Sequence, residues 1–118
     1  MDLWSKKLLL NITNGIGLYV AVKFNSDIAA YSKDGITWTE TTLPVDTYWG
    51  DVAYGNRRYV AISKTNTAFS DDGINWVSGG SLTYGNWSSL CYANGSFFAM
   101  NGDNNTIAYS PDGVTWSY

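Results

Sequence analysis

The chain has 118 residues, room for one domain with a modest core, and its 45% apolar and 14% charged residues exclude a disordered segment. It has no histidine, a single glutamate (Glu40) and two adjacent arginines (Arg57, Arg58), which removes most of the side chains that acid-base and metal chemistry use. A net charge of −3 excludes a basic nucleic-acid face, and the apolar run 8–10 is too short for a membrane span or a signal segment, so a soluble protein without an export signal is expected.

Aromatic residues, 16% of the chain, arrive in a repeating order. The first unit opens at Trp4, has turn residues at Asn14-Gly15, continues through Leu18-Tyr-Val-Ala-Val22 and closes on Tyr31-Ser-Lys-Asp-Gly-Ile-Thr-Trp38. The second opens at Trp49 and runs through a Gly55-Asn56-Arg57 turn and Arg58-Tyr-Val-Ala-Ile62 to Phe69-Ser-Asp-Asp-Gly-Ile-Asn-Trp76. The third opens at Trp87, turns at Asn94-Gly95, and runs through Ser96-Phe-Phe-Ala-Met100 to Tyr109-Ser-Pro-Asp-Gly-Val-Thr-Trp116. The closing tryptophans are 38 and 40 residues apart, and all six tryptophans fall into three pairs.

Each unit reads as four short strands. In the second, strands are expected over Gly50–Tyr54, Arg58–Ser63 and Asn66–Ser70, with a fourth from near Asn75 after an Asp72-Gly73 type I′ turn. No segment has a capped 3.6-residue period, so little helix is expected. A four-stranded antiparallel unit of about 40 residues is the sequence form of a β-propeller blade. The fold class is therefore all-β, one module over 1–118, with blades at about 4–43, 49–81 and 87–118.

The three closing strings resemble the Asp-box, or BNR, repeat of sialidase-like propellers. Asp and Gly are adjacent here, one residue shorter than the usual box, as in the variant of bacterial and phage propeller proteins. The resemblance implies an architectural role for Ser32, Asp34, Gly35 and Trp38, for Ser70, Asp72, Gly73 and Trp76, and for Ser110, Asp112, Gly113 and Trp116: Asp and Ser tie the turn and Trp packs between strands. Sialidases of that family use three arginines and a tyrosine nucleophile, and two neighbouring arginines cannot form such a triad. Carboxylates for another glycosidase are present at Asp27, Asp51, Asp71 and Asp103, but no spacing singles out a pair.

Closed propellers have about four to eight blades, so three blades leave two faces open. The favoured closure is a homodimer with six blades; completion by another protein and membership of a longer array remain alternatives. Strand alternation puts the A–B and C–D turns at one end of the blades and the B–C and D–A loops at the other. Loops at the second end vary: 23–27, 64–66 and 101–105 in B–C, 43–48 and 79–86 in D–A. A ligand site is expected there, from Tyr48 and Tyr84 with Trp49 and Trp87 behind them, unless the tryptophans only pack blade on blade. The 101–105 loop lacks the spacing of a calcium loop, the sequons at Asn11, Asn86, Asn94 and Asn104 carry no weight without an export signal, Cys91 aligns with Ala53 as core, and Lys6-Lys7 reads as a solvated strand end.

The expected function is a non-enzymatic binding or structural module, such as a phage virion or tail component. The alternative is a small oligomeric lectin with glycan sites between blades. No cofactor, metal, nucleic acid or membrane partner is expected.

Overall fold

A computed structural model of the chain describes residues 10–118; Trp4 and Lys6-Lys7 lie outside the described residues. The first sheet holds β1 (Leu10–Gly15), β2 (Leu18–Lys23), β3 (Ser26–Ser32) and β4 (Thr39–Thr47). The second holds β5 (Asp51–Gly55), β6 (Arg58–Ile62), β7 (Thr67–Ser70) and β8 (Val77–Ser78). The third holds β9 (Trp87–Ala93), β10 (Ser96–Asn101) and β11 (Ile107–Ser110). Every sheet is antiparallel with strands in chain order, and the fourth place of the last is a single bridge from Tyr109 to Ser117. No helix occurs among the described residues.

The sheets stack face to face as propeller blades, β5 lying against β1 on one side and β9 on the other. Side chains alternate along each strand, so every blade has two apolar faces. Val20 and Val22 of β2 meet Val52, Tyr59 and Ala61 in one core; Val60 and Ile62 of β6 meet Leu90, Phe97 and Ala99 in the next. Both faces of the middle blade are thus buried.

The hairpin registers correct the expected turns. Gly15 pairs with Leu18, Gly55 with Arg58 and Ala93 with Ser96, so the two-residue turns are Ile16-Gly17, Asn56-Arg57 and Asn94-Gly95. All six residues have positive φ, as a type I′ turn demands. The first turn is therefore not at Asn14-Gly15, although Ile16 is a poor residue for it. A slip of one residue would exchange the two faces of β1 and take Gly15 away from the Tyr54 ring that packs on it. The Asp-Gly steps are not type I′ turns either, because only Gly35, Gly73 and Gly113 have positive φ. The segment 43–48, expected as a loop, is mostly strand, since β4 runs to Thr47 past a bulge in its pairing with β3. Cys91 is exposed rather than core, because it lies on the face of the third blade that points away from the second.

Candidate functional site

At the turn end, one network recurs three times. The hydroxyls of Ser32, Ser70 and Ser110 donate to Asp34, Asp72 and Asp112 at 2.9, 2.8 and 2.9 Å, and each accepts the N–H of the following Gly35, Gly73 or Gly113 at 2.7–2.8 Å. Each Asp Oδ1 then accepts the N–H groups two and three residues on, at 2.8–3.0 Å. The backbone bonds from Thr37 and Ile36 hold the Asp34 carboxyl below its ordinary value, and those from Thr115 and Val114 do the same for Asp112. Burial works the other way at Asp72, but bonds from Asn75, Ile74 and Ser70 outweigh it. All three carboxylates are committed to their own turns. The tryptophans of these strings differ: Trp38 Nε1 donates to the Gly35 carbonyl at 3.2 Å, while Trp76 and Trp116 pack at the cores with no partner for Nε1.

The same end has a cleft of about 410 Å³ between the second and third blades, lined by Arg57, Arg58, Asp71 and Asp112. Arg58 donates to Asp71 through Nε at 2.6 Å and Nη2 at 3.1 Å, donates Nη1 to the Asp112 carbonyl at 2.9 Å, and stacks over Phe69. The bond from Arg58 holds Asp71 below the usual carboxylate range. Its guanidinium thus braces two blades. In the sequence the adjacent arginines carry no local signal of this role, because the carbonyl that Arg58 meets is 54 residues away.

The loop end brings together the B–C loops of the last two blades and the D–A loops on either side of the second. They form a cleft of about 530 Å³ lined by Thr47, Tyr48, Lys64, Thr65, Asn66, Tyr84, Gly85, Asn86 and Asp103. Its walls are tied: Leu82 N–H donates to the Thr65 carbonyl at 2.9 Å, and Gly102 N–H to the Asn86 carbonyl at 3.0 Å. The buried Asn101 side chain braces the floor, its Oδ1 accepting N–H groups of Asn86 at 3.1 Å and Asp103 at 2.9 Å. Gly85 lies against the Asn101 amide so closely that any Cβ there would overlap it.

Two of the four candidate ligand-binding residues reach this cleft. Tyr48 packs on Phe24 with centroids 5.2 Å apart and carries the Lys64 ammonium 4.7 Å from its ring centre, while Tyr84 is 89% exposed. Trp49 and Trp87 are only 1% exposed, their Nε1 groups donating to the Val45 and Thr83 carbonyls, so no ligand can stack on them. They are blade-packing residues. Lys64, Asn66, Asn86 and the Asn101 brace were not singled out from sequence.

The four carboxylates considered for hydrolysis do not share one site: Asp27 lies at the start of β3 in the first blade. Asp71 is at the turn end and Asp103 at the loop end, while Asp51 accepts the N–H of Leu90 in the next blade at 2.9 Å. Burial pushes the Asp51 carboxyl up. Among the described residues no three His, Cys, Asp or Glu side chains gather as a metal site, and no helix is long and apolar enough to cross a membrane.

No protein-family model matches the chain, and no curated protein does. Among solved structures, one described as YCF48 bound to D1 peptide, a β-propeller, superposes on 91% of this chain with a TM-score of 0.73 and 17% identity. This chain matches 39% of that structure's length. At that identity the likeness establishes the fold alone.

Proposed function

We propose that the chain is a non-enzymatic binding module of the β-propeller class, and that the loop-end cleft between the second and third blades is its ligand site. The carrying observation is Tyr84, a large aromatic side chain left 89% exposed at the rim of a cleft whose walls are tied by hydrogen bonds. A preformed cleft with an open aromatic face and a few convergent polar groups is the usual form of a recognition site. Two tyrosine rings, the amides of Asn66 and Asn86 and the hydroxyls of Thr47 and Thr65, beside one cation (Lys64) and one carboxylate (Asp103), suit a hydroxyl-rich ligand, so a glycan is the proposed ligand class. Commitment of Arg58 to Asp71 and Asp112 supports the non-enzymatic assignment.

The short Ser-x-Asp-Gly strings support placing the chain with the Asp-box propellers. Their likeness to phage and bacterial members supports a second role, as a component of a phage virion or tail. Copurification of the chain with phage particles tests that role.

A glycan array with wild type and Tyr84→Ala tests the ligand site. Selective binding by wild type, weakened about tenfold or more in the variant, is expected. Absence of binding across the array, or binding untouched by Tyr84→Ala, removes the glycan assignment.

A further inference from the structure

Successive blades are keyed together by one repeated device. The ring of Tyr54 in β5 lies on Gly15 of β1, and the ring of Tyr92 in β9 lies on Gly55 of β5, so closely that a Cβ on either glycine would run into the ring. By hairpin register, Gly15, Gly55 and Ala93 are equivalent, as are Asn14, Tyr54 and Tyr92. The series is broken twice, once at each open end. The last blade has Ala93 where a notch would be, and the first blade has Asn14 where a ring would be. A methyl group at the notch excludes an incoming tyrosine, and asparagine does not bring one.

Among the described residues, nothing covers the faces that carry these exceptions. Ile62 of the middle blade is fully buried, whereas Met100, its equivalent, is 53% exposed on the last blade beside the exposed Tyr109. Ile12 of the first blade is likewise exposed although its equivalent Val52 is buried. Gly73 meets Leu18 of the preceding blade 2.7 Å from where its Cβ would lie, while Gly35 has only the Tyr19 ring of its own blade, at 3.6 Å. Tyr19 holds the place of Tyr59, whose hydroxyl donates to the carbonyls of Gly15 at 2.5 Å and Leu18 at 2.8 Å in the preceding blade. Bare apolar sheet faces of this kind mark an interface.

We propose that these faces are the two halves of one interface, and that its occupant is a second copy of this chain: the last blade of each copy seats on the first blade of the other, closing a six-bladed ring with two-fold symmetry. Asn14 then meets Ala93 of the second copy, and the Tyr19 hydroxyl reaches the carbonyls of Ala93 and Ser96 as Tyr59 reaches Gly15 and Leu18. The two exceptions fit each other and neither internal interface. A foreign partner would have no reason to require both. Head-to-tail contacts of this kind close when the rotation permits, and six blades lie within the usual range of about four to eight. Ring closure does not rest on the ligand cleft: mass reports one and glycan binding the other.

Light scattering after size exclusion tests the ring. Wild type is expected at 26 kDa, twice the 13.0 kDa chain. Met100→Glu on the bare face is expected at the monomer mass with an unchanged near-ultraviolet circular dichroism spectrum. Asn14→Tyr should weaken the dimer about tenfold or more, and adding Ala93→Gly, which recreates the notch, should restore it. The exposed Cys91 thiol should react slowly with a thiol reagent in the dimer and fast in the monomer, since its equivalent Ala53 is buried under the next blade. If Met100→Glu fails to fold, the notch exchange still decides. A folded wild-type monomer, an assembly of another size, or an Asn14→Tyr variant that dimerises like wild type overturns the proposal.

Discussion

At the turn end of the blades, three serine-aspartate networks repeat the same bonds with acceptor distances of 2.8–3.0 Å to the carboxylate, and the glycines of the second and third, Gly73 and Gly113, pack into the preceding blade. At the loop end the loops differ in sequence, Tyr84 stands in solvent, and bonds run from loop to loop, from Leu82 N–H to the Thr65 carbonyl and from Gly102 N–H to the Asn86 carbonyl, as well as within loops. The difference teaches that repetition marks the residues that hold blades together, whereas variation marks those free to meet a ligand. Substitutions at the first end should therefore lower stability, and those at the second should spare it.

The largest effect is expected at Gly113. Its φ is +76°, and an added Cβ would overlap Val60 of the preceding blade. Gly113→Ala should cost about 3 kcal/mol in urea unfolding, combining backbone strain with overpacking. Gly35→Ala shares the strain, φ +78°, but meets only Tyr19 at 3.6 Å, so about 1 kcal/mol is expected. Equal costs at both sites would show that inter-blade packing contributes nothing at this end.

Next comes Ser70→Ala. The buried hydroxyl accepts the Gly73 N–H at 2.8 Å and donates to Asp72 at 2.8 Å, so its loss strands a buried donor at about 2 kcal/mol. A cost below about 0.5 kcal/mol would break the link between repetition and stability.

Acid should act at the same end. Asp34, Asp72 and Asp112, and Asp71 beside Arg58, are held below their ordinary value of 3.8 in the fold, so they bind protons less readily folded than unfolded. Their stabilisation is present above that value and is lost as pH falls below it. Burial raises Asp51, which opposes the trend with one group against four. The melting temperature should fall between about pH 4 and pH 2. A melting temperature that holds or rises over that range would contradict the assignment.

The contrast between the ends also explains what the sequence revealed. Strand identity and blade number were legible because the period, the repeated middle strings such as Arg58–Ile62 and the Ser-x-Asp-Gly strings are local patterns. The first turn was misplaced because Gly15 resembles a turn residue while serving as the seat of the Tyr54 ring, a role that exists only between blades. Burial of Cys91 was expected by alignment with Ala53, but alignment carries no information on whether a further blade follows. At the candidate site the exposed tyrosines were legible as large aromatic residues in variable loops. Trp49 and Trp87 were not separable from them, since their hydrogen bonds run back to Val45 and Thr83 inside the fold. The Asn101 brace depends on two loops meeting in space, and no spacing along the chain records that.

The smallest effect on stability, and the sharpest use of the comparison, is expected at Tyr84. No hydrogen bond or ring contact of its side chain holds the blades together, and at 89% exposure its truncation removes almost no buried area. Tyr84→Ala should therefore shift urea unfolding by no more than about 0.5 kcal/mol. Glycan affinity should fall in the same variant, because in the proposed site the open ring is the surface on which a sugar face would rest. A large loss of stability would instead mean that the D–A loop is a structural element like the turns at the other end. The distinction between a holding end and a binding end would then fail at the residue on which it depends most.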